Sequence, residues 1–252
     1  MEWWHYAGLT IVAMAAGFVD AIAGGGGLLT VPALLWVGLD PQTALGTNKM
    51  QSCCGTALAV RNYARAGLLK GQRLSATILW TALAAAGGAA LVSSLPVDWL
   101  RHVIPWLLIA IAGYTAFSPR ITDAAAEPRM TAGRFGLIFG LLLGSYDGAF
   151  GPGTGSFWTL ACVLLLGLGL REATAYTKVM NLTSNLASLA VFLAAGSVRF
   201  DVAAVMIGGQ LAGAHLGSGM VLSKGARIIR PVLITTVILM AARLLLEQRA
   251  AG

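Results

Sequence analysis

The stretch GSYDGAFGPGTGS at residues 144–156 separates FGLIFGLLL from FWTLACVLLLGLGL, two of the most apolar runs in the chain. Lipid offers no hydrogen bonds to a broken helix. Glycines, a proline and a carboxylate at that depth are tolerated only where the backbone is buried in protein or lines a water-filled cavity. A chain built this way is constrained to an all-α polytopic membrane protein with interrupted helices. Composition agrees. The 252 residues are 57% hydrophobic and 11% charged, with mean hydropathy +0.77, whereas a soluble domain carries about 25% charged residues.

Ten apolar or helical segments can be drawn, at 4–22, 28–38, 42–65, 73–94, 98–117, 132–148, 154–168, 171–195, 201–222 and 227–246. Segments 28–38 and 154–168 fall short of the ~20 residues a full span needs. They read as tilted, re-entrant or half-membrane helices, leaving about eight full spans. The first run has no basic region before it, so it is a plausible first span and a poor signal peptide. With ten crossings, one side receives eleven basic residues: Arg61, Arg65, Lys70, Arg73, Arg120, Arg129, Arg134, Arg171, Lys224, Arg227 and Arg230. The other side receives four, Arg101, Arg199, Arg243 and Arg249. Counting each glycine-broken pair as one crossing gives a less uneven split, 10 to 5. The positive-inside rule therefore favours ten crossings with both termini outside. The net charge of +7 is explained by topology and lipid contact rather than by nucleic acid.

The chain repeats itself. Gly17, Asp20, Gly24 and Gly26 recur 127 residues later as Gly144, Asp147, Gly151 and Gly153. From Gly38 the offset is 129, and Gly38, Leu39, Ala44, Lys49, Ala66 and Gly67 recur as Gly167, Leu168, Ala173, Lys178, Ala195 and Gly196. The Asp and Lys matches carry weight because the chain has only six Asp and four Lys. An odd number of segments per half turns the second half upside down, which predicts two inverted repeats. The units are 1–118 and 132–252, joined by a cytoplasmic linker at 119–131. Transporters of this design place the substrate between the repeats.

Candidate site residues follow from that design. Lys49 and Lys178 lie in apolar segments, where an ionised Lys costs about 2.5–3.5 kcal/mol. The positions three and seven residues on share a helix face with each Lys. They hold Ser52 and Thr56 in the first half, Asn181 and Asn185 in the second. A cation with hydroxyl and amide donors suits an oxyanion. Pairing of each Lys with Asp20 or Asp147, or snorkelling to the interface, is the alternative. Gly24, Gly26, Gly151 and Gly153, followed by Thr154 and Ser156, precede short helices whose positive ends attract anions. A tight bend for packing is the alternative there. Neither loop is followed by the Gly-Lys-Ser/Thr of a nucleotide-binding loop. Asp147 holds exposed N–H groups, pairs with Lys178, or carries a coupling proton, and Asp20 is its counterpart. His215, on the GGQLAGAHLGSG stretch whose Gly209, Gly213 and Gly217 form a small-residue packing face, reads as a buried hydrogen-bonded residue or a proton relay. Trp3, Trp4, Trp99 and Trp106 read as interfacial anchors. Cys53, Cys54 and Cys162 read as packing residues. No metal or cofactor site is expected.

These residues resemble a family. GFVDAIAGGGGLLTVPALLWVGLDPQTALGTNK, with GSYDGAFGPGTGSFW and ATAYTKVMNLTSNLASLAVFLAAGSV, is similar to the TauE/SafE sulfite exporters, over nearly the whole chain. The resemblance implies a secondary transporter of the bacterial inner membrane handling sulfite, sulfonates or related organosulfur anions, in which the charge split then places both termini in the periplasm. Ser52 and Thr56 stand where the second half has Asn181 and Asn185, so a symmetric site is unequal. Proton coupling and a homodimer are compatible with this reading. An intramembrane enzyme lacks a nucleophile–base pair. A non-transporting scaffold leaves the paired intramembrane Asp and Lys unexplained.

Overall fold

The computed structural model describes residues 1–117 and 125–224. The segment at 227–246, together with Arg120, Arg227, Arg230, Arg243 and Arg249, lies outside the described residues. Among the described residues every regular element is a helix: α1 (Trp3–Ala23), α2 (Gly27–Trp36), α3 (Pro41–Arg65), α4 (Ser75–Ser93), α5 (Val97–Phe117), α6 (Ala132–Ala149), α7 (Thr154–Leu166), α8 (Leu170–Ala194) and α9 (Phe200–Lys224). The short segments are short helices of 10 residues for α2 and 13 for α7. At 1.5 Å per residue they span only about 15 and 20 Å.

Each glycine break has a local cause. At Gly24 the chain turns left-handed (φ +77°) to end α1, and at Gly153 (φ +78°) it does so before α7. Only glycine adopts that conformation without strain. Pro152 supplies no N–H to carry a helix through. The two broken pairs are hairpins. Trp36, at the end of α2, lies 6.3 Å from Trp4, near the start of α1. The α7 end returns to the start of α6, where the incoming chain caps it. The Ala126 N–H donates to Gly167 O at 2.9 Å, and the Arg129 and Met130 N–H groups donate to Leu165 O at 2.9 and 3.1 Å.

Two glycine-lined contacts bind these hairpins to the rest. α1 and α9 run side by side in the same direction. Tyr6 donates to Asp201 Oδ2 at 2.8 Å near their starts, and Gly209, Gly213 and Gly217 then sit against the backbone of Thr10, Met14 and Phe18. The expected packing face is present. α4 and α6 pack the same way, through Gly136, Gly140, Gly144 and Gly148 against Thr77, Thr81 and Ala85. That second stripe has the same four-residue spacing and was overlooked in the sequence. Small residues let backbones approach where lipid provides no hydrophobic drive.

α3 and α8 cross the centre in opposite directions. Gly46, early in α3, abuts Ser197 just beyond α8, and Gln72, beyond α3, donates to Glu172 O in the first turn of α8. Both helices have 25 residues, and the backbone hydrogen bonds at their ends correspond, although only α3 has a side-chain cap, Asp40 accepting from the Thr43 N–H. The N–H groups of Ala44, Ala66, Gly67 and Leu68 donate to Asp40, Asn62, Ala64 and Tyr63. Those of Ala173, Ala195, Gly196 and Ser197 donate to Gly169, Val191, Leu193 and Phe192.

By length and composition, α1, α4 and α9 are apolar enough to cross a membrane. α3 and α8 are long enough, but they carry Asn48, Lys49, Gln51 and Thr56, and Thr174, Thr177, Lys178, Asn181, Ser184 and Asn185, all buried. Those side chains lower the hydropathy of the helix without meeting lipid. Trp3, Trp4, Trp99 and Trp106 are exposed, as interfacial anchors require. His215 is exposed on α9, which corrects the expectation of a buried histidine. Its neighbours Gly213 and Gly217 face α1, and the helical period turns position 215 outward.

Candidate functional site

The two glycine breaks meet. A Cβ on Gly155 would overlap Gly24 Cα, and one on Gly27 would stand 3.2 Å from Pro152 Cα. Beside this crossing lies a cavity of about 20 Å³, lined by Asp20, Gly24, Gly27, Asn48, Lys49, Ser52, Asp147, Gly151, Asn181 and Asn185. It draws on both halves and is polar in an otherwise apolar core. A space of that size holds about one water.

Two ion pairs cross between the halves here. Lys49 Nζ donates to Asp147 Oδ1 at 2.8 Å and to Asp147 O at 2.5 Å. Lys178 Nζ donates to Asp20 Oδ2 at 3.1 Å. Both Lys side chains are at most 1% exposed. A buried charge is costly unless paired and further hydrogen-bonded; Lys49 gains both a carboxylate and a carbonyl, Lys178 a carboxylate alone, and in each case the partner comes from the opposite half. Ser184 donates to the second oxygen of Asp147. The Gly26 N–H reaches Asp20 Oδ1 at 3.4 Å. One expectation is corrected: the partner of Asp147 is Lys49, not Lys178. The antiparallel crossing of α3 and α8 sets each Lys against the hairpin of the other half.

The remaining expected residues divide. Asp20, Gly24, Lys49, Ser52, Asp147, Gly151, Asn181 and Asn185 line the cavity. Lys178 does not line it, and connects to it through Asp20. Thr56 donates to Ser52 O at 2.7 Å, so its hydroxyl is spent on its own helix. Gly26 and Gly153 are N-caps without side-chain help. Thr154 donates to Gly151 O at 2.7 Å, and Ser156 to Ala23 O at 3.2 Å. Neither hydroxyl caps α7 or faces the cavity, contrary to expectation; both are used to hold the crossing loops. Asn48, Gly155 and Ser184 were missed. Asn48 accepts from Thr30 at 2.5 Å and from Gln51 at 2.9 Å. Ser184 belongs to a stripe with Asn181, Asn185 and Ser188 at helical spacing, which the sequence alone could have disclosed. Asn181 Oδ1 is buried without a protein partner. Among the described residues no cluster of His, Cys, Asp or Glu could hold a metal, and Cys53, Cys54 and Cys162 are free.

The chain resembles known proteins over nearly its whole length. The family model for the sulfite exporter TauE/SafE matches residues 9–244. A probable membrane transporter protein of Haemophilus influenzae is 43% identical over 240 residues, covering 95% of this chain and 94% of its own length. A probable membrane transporter protein, ORF9, of a Sinorhizobium species is 44% identical over 239 residues, 95% and 92% of the two chains. The probable membrane transporter protein YfcA of Escherichia coli K12 is 42% identical over 240 residues, 95% and 89% of the two. No solved structure matches. A polar, charge-paired centre inside an apolar helical body, with a family match over nearly all of the chain, identifies it as a membrane transporter of the TauE/SafE sulfite exporter family.

Proposed function

We propose that the protein carries small organosulfur or sulfite-type anions across the bacterial inner membrane, with the substrate bound where the two glycine breaks cross. The supporting observation is the pair of crossed, buried ion pairs, Lys49–Asp147 and Lys178–Asp20, around one small polar cavity. The binding set is Lys49, Ser52, Lys178, Asn181 and Asn185, with Gly24, Gly26, Gly151 and Gly153 at the loops. Thr56, Thr154 and Ser156 hold their own backbones around it. The cavity is smaller than a sulfonate group, so binding requires the halves to part, and the site alternates between the two faces. A proton entering at Asp20 or Asp147 is the natural driving partner.

The same reading arranges the chain as two inverted repeats, 1–118 and 132–252, with the linker 119–131 in the cytoplasm and about eight full spans. It is supported by the matched backbone hydrogen bonds at the ends of α3 and α8 and by the two hairpins, which open toward opposite ends. Charge supports it too. Arg61, Arg65, Lys70, Arg73, Arg134 and Arg171 gather at the end where α6 starts, while Arg101 and Arg199 lie at the end where α1 starts. The positive-inside rule then puts the N-terminus in the periplasm, and an even number of crossings puts the C-terminus there as well.

Flux into proteoliposomes decides the function. Sulfite, sulfate, sulfoacetate and taurine are offered separately, with and without a proton gradient. Saturable uptake of at least one, competed by another, is expected. Absence of flux for all four, with no anion-dependent thermal stabilisation of the purified protein, refutes the reading.

A further inference from the structure

The two crossed pairs are equivalent in position and unequal in construction. Asp147 is held on every side. Lys49 gives it two hydrogen bonds, one to Oδ1 and one to its main-chain oxygen. Ser184 occupies its other carboxylate oxygen, and Ser188 in turn donates to Ser184 O. Asp20 has less. Among the described residues Lys178 Nζ bonds only Asp20 Oδ2, at 3.1 Å, and the Gly26 N–H is 3.4 Å from the other oxygen. The Asp20 side chain is 14% exposed against 5% for Asp147. The sequence explains the inequality. One repeat earlier, 129 residues before Ser184 and Ser188, stand Gly55 and Ala59, neither of which has a hydroxyl to give. The side chain of Gln210 lies against Gly55 and fills the space.

The charged groups facing Asp20 are few. Lys178 comes from α8, Lys49 and the phenol of Tyr63 from α3, and Asp147 from α6 across the cavity. α2 has no titratable residue, and His215 of α9 is exposed. Cys162 of α7 is packed in a separate apolar cluster. Two Lys and two Asp sum to zero charge. An arriving monoanion leaves the buried centre one charge negative unless a proton enters with it, and an uncompensated buried charge is strongly disfavoured.

Resting on the reading of this cavity as an anion site, we propose that the two pairs have different tasks: Lys49–Asp147 is a permanent brace, and Asp20–Lys178 is the pair that opens. On substrate entry Lys178 moves its N–H donor from Asp20 Oδ2 to an oxygen of the anion. Asp20 takes up one proton on the freed oxygen, and the centre returns to zero charge. Asn181 and Asn185 add amide donors to the anion, while Asp147 stays ionised. Each negative charge carried is thus accompanied by one proton, and Asp20 is the carboxylate that carries it.

The test uses the full-length protein in detergent and reads two quantities. The first is the apparent affinity for methanesulfonate, a monoanion at every pH used, taken from thermal stabilisation between about pH 5 and 8, with sulfite as a parallel probe. One linked proton makes that affinity fall about tenfold per pH unit above the carboxyl's own pKa. Wild type and Ser184→Ala are expected to keep this slope, and Asp20→Asn to lose it. The second is the melting temperature without anion. Asp147→Asn and Ser184→Ala are expected to lower it more than Asp20→Asn does. A slope that survives in Asp20→Asn, or a melting temperature that falls as far for Asp20→Asn as for Asp147→Asn, overturns the proposal. If neither probe stabilises wild type and none of the four anions shows flux, the transport reading is what fails, and the ranking of melting temperatures still decides whether the brace is Lys49–Asp147.

Discussion

Gly24 and Gly155 stand so close that a Cβ on either would overlap the other's Cα. One belongs to the loop after α1 and the other to the first turn of α7, so this contact joins the two hairpins at their tips. Neither position can carry a side chain without moving backbone. Gly155→Ala should destabilise the protein by about 3 kcal/mol, the upper part of the range for overpacking. Thermal unfolding in detergent reads it. An unchanged melting temperature would mean that the hairpin tips do not touch.

Removing one partner of a buried pair leaves a charge without compensation. Lys49→Ala should cost about 3–5 kcal/mol, whereas replacing both partners by apolar residues, as in Lys49→Met with Asp147→Leu, should recover most of the loss. Transport is expected to be lost in both. Equal instability of single and double variants would show that Lys49 does not serve mainly to neutralise Asp147.

The α9 glycines offer an internal control. Gly213 has no room beside Met14 and Phe18, while Gly208 and Gly219 on the same helix have nothing within 4 Å. Gly213→Leu should force α1 from α9 and lower the melting temperature sharply. Gly208→Leu and Gly219→Leu should stay within about 0.5 kcal/mol of wild type, as open surface positions do. Gly140→Leu on α6, beside Trp80 and Thr81, should match Gly213→Leu, and a mild effect there would argue against equivalent packing of α1 on α9 and α4 on α6.

Sidedness can be read by labelling. Lys70 follows α3 and Ala195 follows α8, and both are exposed. In a variant stripped of native cysteines, Ala195→Cys should react with an impermeant maleimide in spheroplasts. Lys70→Cys should react only after the membrane is opened. The reverse pattern would invert the proposed orientation, and reaction at both from outside would break the inverted arrangement.

Tyr63 donates its phenol to Ala21 O at 2.7 Å from a fully buried position, holding the last turn of α1 next to Asp20. Tyr63→Phe removes one hydrogen bond and leaves a carbonyl unsatisfied, at about 1–3 kcal/mol. Its effect should appear as a lower melting temperature with the packing otherwise intact, checked by comparison with Phe135→Leu, a purely apolar change.

The sequence by itself determined the helical membrane class, the two short helices and the repeat offset. It also marked Asp20, Lys49, Asp147 and Lys178 as misplaced in an apolar body. All of these are local signals, because hydropathy, glycine spacing and rare charges are legible along the chain. Ser52, Asn181 and Asn185 followed from the 3.6-residue period, which places side chains on a face. The period does not say what the face meets. Which Asp answers which Lys was decided by the antiparallel crossing of α3 and α8, and this sends each Lys to the other half. Thr154 and Ser156 became loop fasteners rather than ligand donors, the first by a bond within its own loop and the second by the meeting of the two hairpin tips. Only the tertiary structure disclosed that Gly24 and Gly155 touch, since a glycine kept for flexibility and one kept for contact look alike in sequence. The inequality of the two carboxylates needed both levels. Sequence supplies Ser184 against Gly55, and the fold sets the Ser184 hydroxyl on Asp147, since a hydroxyl matters only when packing places it within hydrogen-bonding reach.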